Sequence, residues 1–153
     1  MDVRVQSSFE TTLAPSLVVD ALVDMTPQRP LIWPHLDPAR FVVRDRGDGW
    51  AIVMEGDRQL PIWQLARYEW STPGTVTWTV LESNFCTPGD GIRVVVVPLP
   101  GGGSQVDIYW RRRPTSLLGS MIAVVHRIAG TRTLRSSYSR VFERLAAEAA
   151  PEP

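Results

Sequence analysis

The stretch from Thr115 to Ala149 limits what this chain can fold into more than any other. Leu117, Met121, Val124, Ile128, Thr131, Leu134, Tyr138, Val141 and Leu145 recur at spacings of three and four. That rhythm lays a mostly apolar stripe along one side of a long helix. Arg127, Arg132, Arg135, Arg140, Glu143 and Arg144 fall mostly off the stripe. Thr115 or Ser116 can supply a hydroxyl N-cap, and Pro114 stops the preceding strand from running on. An unbroken helix of this length would span roughly 50 Å, long for so small a domain, so a bend is expected at Gly130. What precedes Pro114 reads mainly as strands, which gives the helix a sheet on which to bury its stripe.

The first part of that helix, Ser116 to Ala129, is apolar nearly all round, because Leu118, Ile122 and Val125 lie off the stripe. A helix apolar on every side touches something other than water. It packs under loops of its own domain, forms a dimer contact, roofs a hydrophobic cavity or touches a membrane. It is too short to span a bilayer, which takes about 20 apolar residues.

The chain has 153 residues, the length of one domain (1–153), with a frayed tail expected over residues 150–153. Acidic and basic residues balance at 16 each, which leaves no overall electrostatic footprint for nucleic acid. Every basic residue is arginine, so no lysine is present for Schiff-base chemistry. Cys86 is the single cysteine, which excludes an internal disulfide and any multi-cysteine metal site. Met1 to Phe9 lacks the basic and apolar regions of a signal peptide, so a cytoplasmic location is the default expectation.

Read from its start, the chain opens with a strand in which Val3, Val5, Ser7 and Phe9 alternate with polar residues. Pro15 ends it, and Ser16 is placed to cap a short helix running to about Met25. A second helical turn begins at Thr26 and Pro27 and is soon broken by Pro30, Pro34 and Pro38. Antiparallel strands follow: Arg40 to Arg46 and Trp50 to Glu55 around Gly47-Asp48-Gly49; Leu60 to Trp70 and Thr75 to Asn84 around Ser71 to Gly74; Ile92 to Leu99 and Gln105 to Arg112 around Pro100 to Ser104.

This order, strand, two short helices, six strands and a long helix, resembles the START/Bet v 1-like (SRPBCC) superfamily and its polyketide cyclase/dehydrase-like branch. The resemblance is carried by Leu13-Ala14-Pro15 with Val18, Leu22 and Asp24, by Trp33-Pro34, by Gly47-Asp48-Gly49-Trp50, by Gly101-Gly102-Gly103-Ser104, and by Arg111-Arg112-Arg113-Pro114 leading into the final helix. It implies an α+β helix-grip fold, in which a seven-stranded curved antiparallel sheet wraps the long C-terminal helix around a cavity. Functional residues vary widely across the family, so the resemblance assigns no catalytic residue.

The cavity wall is argued from pairing. A four-residue loop at Ser71 to Gly74 would set Trp70 opposite Thr75 and Arg67 opposite Trp78. Trp63, Leu65, Arg67 and Glu69 would then share the concave face with Val76, Trp78, Val80 and Glu82, leaving Gln64 and Tyr68 to water; a slip of one residue exchanges the faces. Trp50, Ile52 and Met54 should also point inward, with Ile108, Trp110 and Arg112 on the last strand. The ligand-binding candidates are therefore Trp33, Trp50, Trp63, Leu65, Arg67, Trp78, Val80, Glu82, Trp110 and Met121. Arg67, stacked on Trp78, would bind a carboxylate or polarise a carbonyl oxygen; the alternative is a structural ion pair or an exposed arginine.

His35 is a possible acid or base near the cavity entrance, or else a surface histidine in a proline-rich turn. His126 has no second ligand at metal spacing, and Cys86 has no positioned base, so neither a metal site nor a cofactor is expected. Two functions follow: a module binding a small hydrophobic or aromatic molecule, lipid- or polyketide-like, or a cofactor-free polyketide cyclase, aromatase or dehydratase-type enzyme. A third is a partner- or membrane-associating protein that uses Ser116 to Ala129. The chain is expected to be a monomer or homodimer.

Overall fold

Three of the strand reversals fall on glycines that take a left-handed backbone. Gly49 (φ +75°) turns one hairpin, Gly74 (φ +70°) the next, and Gly101 to Gly103 (φ +89°, +106° and +78°) the last. The computed structural model describes residues 1–151. Strand β1 (Val3–Thr11) leads into helices α1 (Pro15–Val23) and α2 (Arg29–Ile32). Six strands follow: β2 (Leu36–Gly47), β3 (Trp50–Asp57), β4 (Trp63–Glu69), β5 (Thr75–Ser83), β6 (Gly91–Pro98) and β7 (Ser104–Arg112). The chain ends in α3 (Leu117–Ala149). Of the expected frayed tail, residues 152 and 153 lie outside the described residues.

All strand pairs are antiparallel, in the order β1-β7-β6-β5-β4-β3-β2. Six neighbouring pairs arise from consecutive or terminal strands, so the sheet is an extended meander with β1 added beside β7. Burial alternates strictly along β7, with Val106, Ile108, Trp110 and Arg112 inward. The sheet's concave face grips α3, which gives the helix-grip architecture. Two reciprocal bonds lock helix to sheet: Ser7 Oγ donates to the Thr131 carbonyl at 2.9 Å, and Thr131 Oγ1 to the Gln6 carbonyl at 3.0 Å.

Local details depart from the sequence reading. Helix α1 starts from Ala14 with Pro15 in its first turn and no side-chain cap, so Ser16 does not cap it. Helix α2 is one turn, entered from Gln28 rather than Pro27. Ser116 does cap α3, accepting from the Gly119 N–H at 3.0 Å.

Helix α3 runs 33 residues as one hydrogen-bonded helix, and Gly130 does not interrupt it. The glycine serves close approach instead: a Cβ there would lie 2.8 Å from Val5 Cγ2, and one at Gly119 only 2.1 Å from the Phe85 carbonyl oxygen. Small residues therefore face the sheet along the first half of α3, with Gly119 and Ala123 buried. The large apolar residues turn outward. Leu117 is 81 % exposed, Met121 60 % and Ile128 81 %, so the N-terminal half of the predicted stripe faces water.

Candidate functional site

A row of side chains crosses the concave face in register. Tyr68 pairs with Trp78, Trp78 with Ile92, and Ile92 with Trp110. Together with α3 this row encloses a cavity of about 380 Å³, within the usual range of ligand pockets. Trp33 and Leu36 wall one end, Trp63 and Phe85 another, and Ile122, His126, Leu134 and Tyr138 hang from α3. Trp33 is fixed by an Nε1–H bond to the Ala21 carbonyl at 3.0 Å and by ring contacts to Tyr138 and Phe142. His35 and Ser137 line both the cavity and an adjoining surface cleft of about 270 Å³, which places the mouth between the α2–β2 link and the middle of α3.

The observed register of β4 against β5 differs by one residue from the expected one. Glu69 pairs with Thr77 and Tyr68 with Trp78, and Trp70 stays out of the β5 ladder, its N–H donating to the Gly49 carbonyl at 2.9 Å and that of Thr75 to the Thr72 carbonyl at 3.1 Å. Parity on β4 is thereby exchanged: Ala66 and Tyr68 face inward, Leu65 and Arg67 outward. A bulge at Leu81 then carries Glu82 into solvent. On β3, Ala51, Val53 and Glu55 are buried in alternation, so Trp50, Ile52 and Met54 take the convex side. Arg67 does stack on a tryptophan, but on Trp50, at 4.5 Å from the ring centre, with Nε donating to Glu69 at 2.9 Å. It is a surface ion pair.

Of the candidate residues, Trp33, Trp63, Trp78 and Trp110 meet on the cavity wall. Val80 is buried behind it. Trp50, Leu65, Arg67, Glu82 and Met121 are absent from it.

The polar groups that do face the cavity come from α2, β3, β4, β7 and α3 and from the link before β2. Arg29 on α2 donates from Nε to Glu55 Oε1 at 2.8 Å, and Tyr68 Oη donates to Glu55 Oε2 at 2.7 Å. Arg29 Nη1 also donates to the Leu22 and Asp24 carbonyls at 2.9 and 3.2 Å, capping the end of α1. This triad is fully buried and ties α1, α2, β3 and β4 together. Burial, reinforced by the Glu55 charge, pushes the Tyr68 phenol well above its ordinary pKa, and burial raises Tyr138 as well. His126 stacks on Trp110 with ring centres 4.5 Å apart, and its Nδ1 lies 2.9 Å from the Ile122 carbonyl. With Nδ1–H donating there, Nε2 is the acceptor left to the cavity. His35 stands at the rim, and the wall around it lowers its pKa by disfavouring the charged ring. Gln64 Oε1 is buried without a hydrogen-bond partner among the described residues.

Arg29, Glu55 and Tyr68 could not be read from the sequence. Their contacts span 26 and 13 residues, and Tyr68 follows from the β4 register. His126 had a weak signal in its helical spacing from Ile122. Cys86 is buried and bonded to Ser83 Oγ at 3.5 Å, with burial raising its pKa, the setting of an inert thiol. No group of three or more metal-ligating side chains occurs among the described residues.

No protein-family model and no curated protein sequence matches the chain. Solved structures do match its fold. The Zhui aromatase/cyclase from a Streptomyces species superposes with a TM-score of 0.75 at 12 % identity, over 99 % of this chain and 100 % of that one. A START superfamily protein from Mycobacterium smegmatis gives 0.73 at 11 % identity, over 94 % and 99 %. Norcoclaurine synthase from Thalictrum flavum, in complex with dopamine and hydroxybenzaldehyde, gives 0.66 at 11 % identity, over 99 % and 90 %. At such identities the likeness is one of fold: this chain has the START/Bet v 1 helix-grip fold.

Proposed function

We propose that the protein binds a small, mainly apolar molecule with an aromatic or similarly flat body in the cavity between the sheet and α3. The observation that carries this reading is the cavity of about 380 Å³ walled by Trp33, Trp63, Trp78 and Trp110. Large rigid rings give broad contact at little entropic cost, and few polar groups are needed to fix orientation. The complex of norcoclaurine synthase with two aromatic molecules supports the ligand class. The test is a titration with hydroxylated aromatics and long-chain alcohols, followed by tryptophan fluorescence. Saturable one-to-one binding is expected, and Ser137→Trp at the mouth should abolish it while the protein still melts normally. Absence of saturation across the panel would overturn the reading.

The same cavity serves the alternative, a cyclase, aromatase or dehydratase-type reaction on a polyketide-like chain. Tyr68 backed by Glu55, and Nε2 of His126, are its proton-transfer groups. Binding is preferred because Glu55 is held by two donors and burial raises the pKa of both cavity phenols, which keeps them protonated. Loss of water from a poly-β-ketone substrate, read by mass spectrometry and abolished in Tyr68→Phe, would reverse that preference.

A further reading concerns the outer face of α3. Leu117, Met121, Val124, Val125 and Ile128 are exposed there, and Arg132 and Arg135 continue the same face. No acidic residue occurs in α3 before Glu143, so the balanced total charge conceals a basic, apolar helix surface. That combination suits an anionic lipid surface. Although no helix among the described residues is long and apolar enough to cross a membrane, lying on one needs no span. Co-sedimentation with phosphatidylglycerol vesicles but not phosphatidylcholine vesicles is the expected result.

A further inference from the structure

The charged side chains of the cavity wall are held by protein partners except at one place: the Asp57 carboxylate accepts from the Gln59 and Leu60 N–H groups, both at 2.8 Å. Arg29 holds Glu55, and Arg113 occupies both oxygens of the buried Asp90, with Nε 2.8 Å from Oδ1 and the backbone N–H 2.5 Å from Oδ2. Arg112, facing the cavity from the end of β7, has no such partner. The residue is 6 % exposed, and its one side-chain hydrogen bond among the described residues runs from Nη1 to the Arg111 carbonyl at 3.0 Å. Nε and Nη2 meet no protein acceptor among the described residues. The guanidinium lies over the Trp110 ring, 5.2 Å from its centre, which fixes its plane. Asp90 is near enough to act on it through charge alone. Tyr138, which lines the same cavity from α3 and lies within reach of that charge, has a hydroxyl with no hydrogen-bond partner among the described residues.

A guanidinium keeps its charge when buried, and its planar fork matches a carboxylate through two parallel N–H···O bonds. We propose that Arg112 is a carboxylate receptor, so that the cavity takes an amphipathic acid whose apolar or aromatic body lies along the tryptophan row. The Tyr138 hydroxyl donates to the same carboxylate. The proposal rests on the cavity-binding reading and adds the ligand's charge to it. A carboxylate fits better than a phosphate, because one free guanidinium balances one negative charge and Arg29 is already committed to Glu55.

The experiment is isothermal titration calorimetry of the full chain at neutral pH with two matched pairs, dodecanoic acid against dodecanol and naphthoic acid against naphthol. In at least one pair the acid should bind about tenfold or more tighter than the alcohol. Arg112→Gln should erase that preference, weakening the acid about tenfold or more beyond any change in the alcohol, Arg112→Lys should retain part of it, and Tyr138→Phe should reduce it. Equal binding of acid and alcohol by the unmodified protein, or a preference that survives Arg112→Gln, overturns the proposal and leaves the cavity reading standing. Failure of all four probes to bind overturns both. If Arg112→Gln melts as an unfolded chain, the acid-to-alcohol ratio of the unmodified protein and Arg112→Lys decides.

Discussion

Glu55 is the residue on which the interior charge turns. It accepts from Arg29 and Tyr68 at 2.8 and 2.7 Å in a site where both ion-pair partners are 6 % exposed. Removing one member of a buried pair strands the other, which costs about 3–5 kcal/mol, far more than the pair contributes over an apolar substitute. Glu55→Leu should therefore lose about that much stability in urea unfolding. Tyr68→Phe leaves Arg29 paired and should lose only about 1–2 kcal/mol. The two cavity phenols give a pH signature. Their folded pKa values are raised by burial, so the folded state holds its protons more tightly than the unfolded one. That contribution is complete below pH about 10 and lost as the pH rises beyond it. In an ultraviolet titration, Tyr68 and Tyr138 should ionise only with alkaline unfolding; smooth ionisation of both in the folded protein near pH 10 would contradict the burial argument. Cys86 gives an independent check, since its thiol should resist Ellman's reagent until denaturant is added.

Helix α3 shows why an element read alone misplaces its faces. Its most apolar stripe runs through Leu117, Met121, Val124 and Ile128, yet the side against the sheet is chosen by where the backbones can touch. Gly119 and Gly130 permit that contact, and the bulky stripe is left outside. The two glycines should differ on substitution. Alanine improves helix propensity by about 1 kcal/mol at either site. At Gly130 the new methyl meets the Val5 side chain, which can rotate. At Gly119 it meets the Phe85 carbonyl 2.1 Å away, which is fixed backbone in the loop before Cys86. Gly119→Ala should thus destabilise by about 2–3 kcal/mol in thermal or urea unfolding, and Gly130→Ala by clearly less. Conversely Ile128→Glu, at an 81 % exposed position, should leave stability within about 0.5 kcal/mol of the parent. If the outer face docks on anionic vesicles, that same change should abolish co-sedimentation.

Across the molecule, what was legible was what local chemistry decides. Turn glycines and period-two alternation mark the strands, and the parity of β7 puts Ile108, Trp110 and Arg112 inward. The β4 face was not legible, because a shift of one residue in the reversal between Glu69 and Thr77 exchanges the two faces. Nor was the Arg29–Glu55 pair, which exists only once α2 has folded over the sheet. The cavity is likewise a property of the assembled chain, and this makes it testable without knowing the ligand. A molecule that binds only the folded state stabilises it by about 2.7 kcal/mol at a hundredfold excess over its Kd. For a chain of 153 residues, each kcal/mol raises Tm by about 2–4 °C. A ligand that fills the tryptophan-lined space should therefore raise Tm by about 5–10 °C in differential scanning calorimetry. Ser137→Trp should keep the parent's unliganded Tm and lose the shift, because Ser137 is exposed and borders both the cavity and the outer cleft. An equal shift in the two proteins would place the ligand on the surface and leave the cavity without a role in binding it.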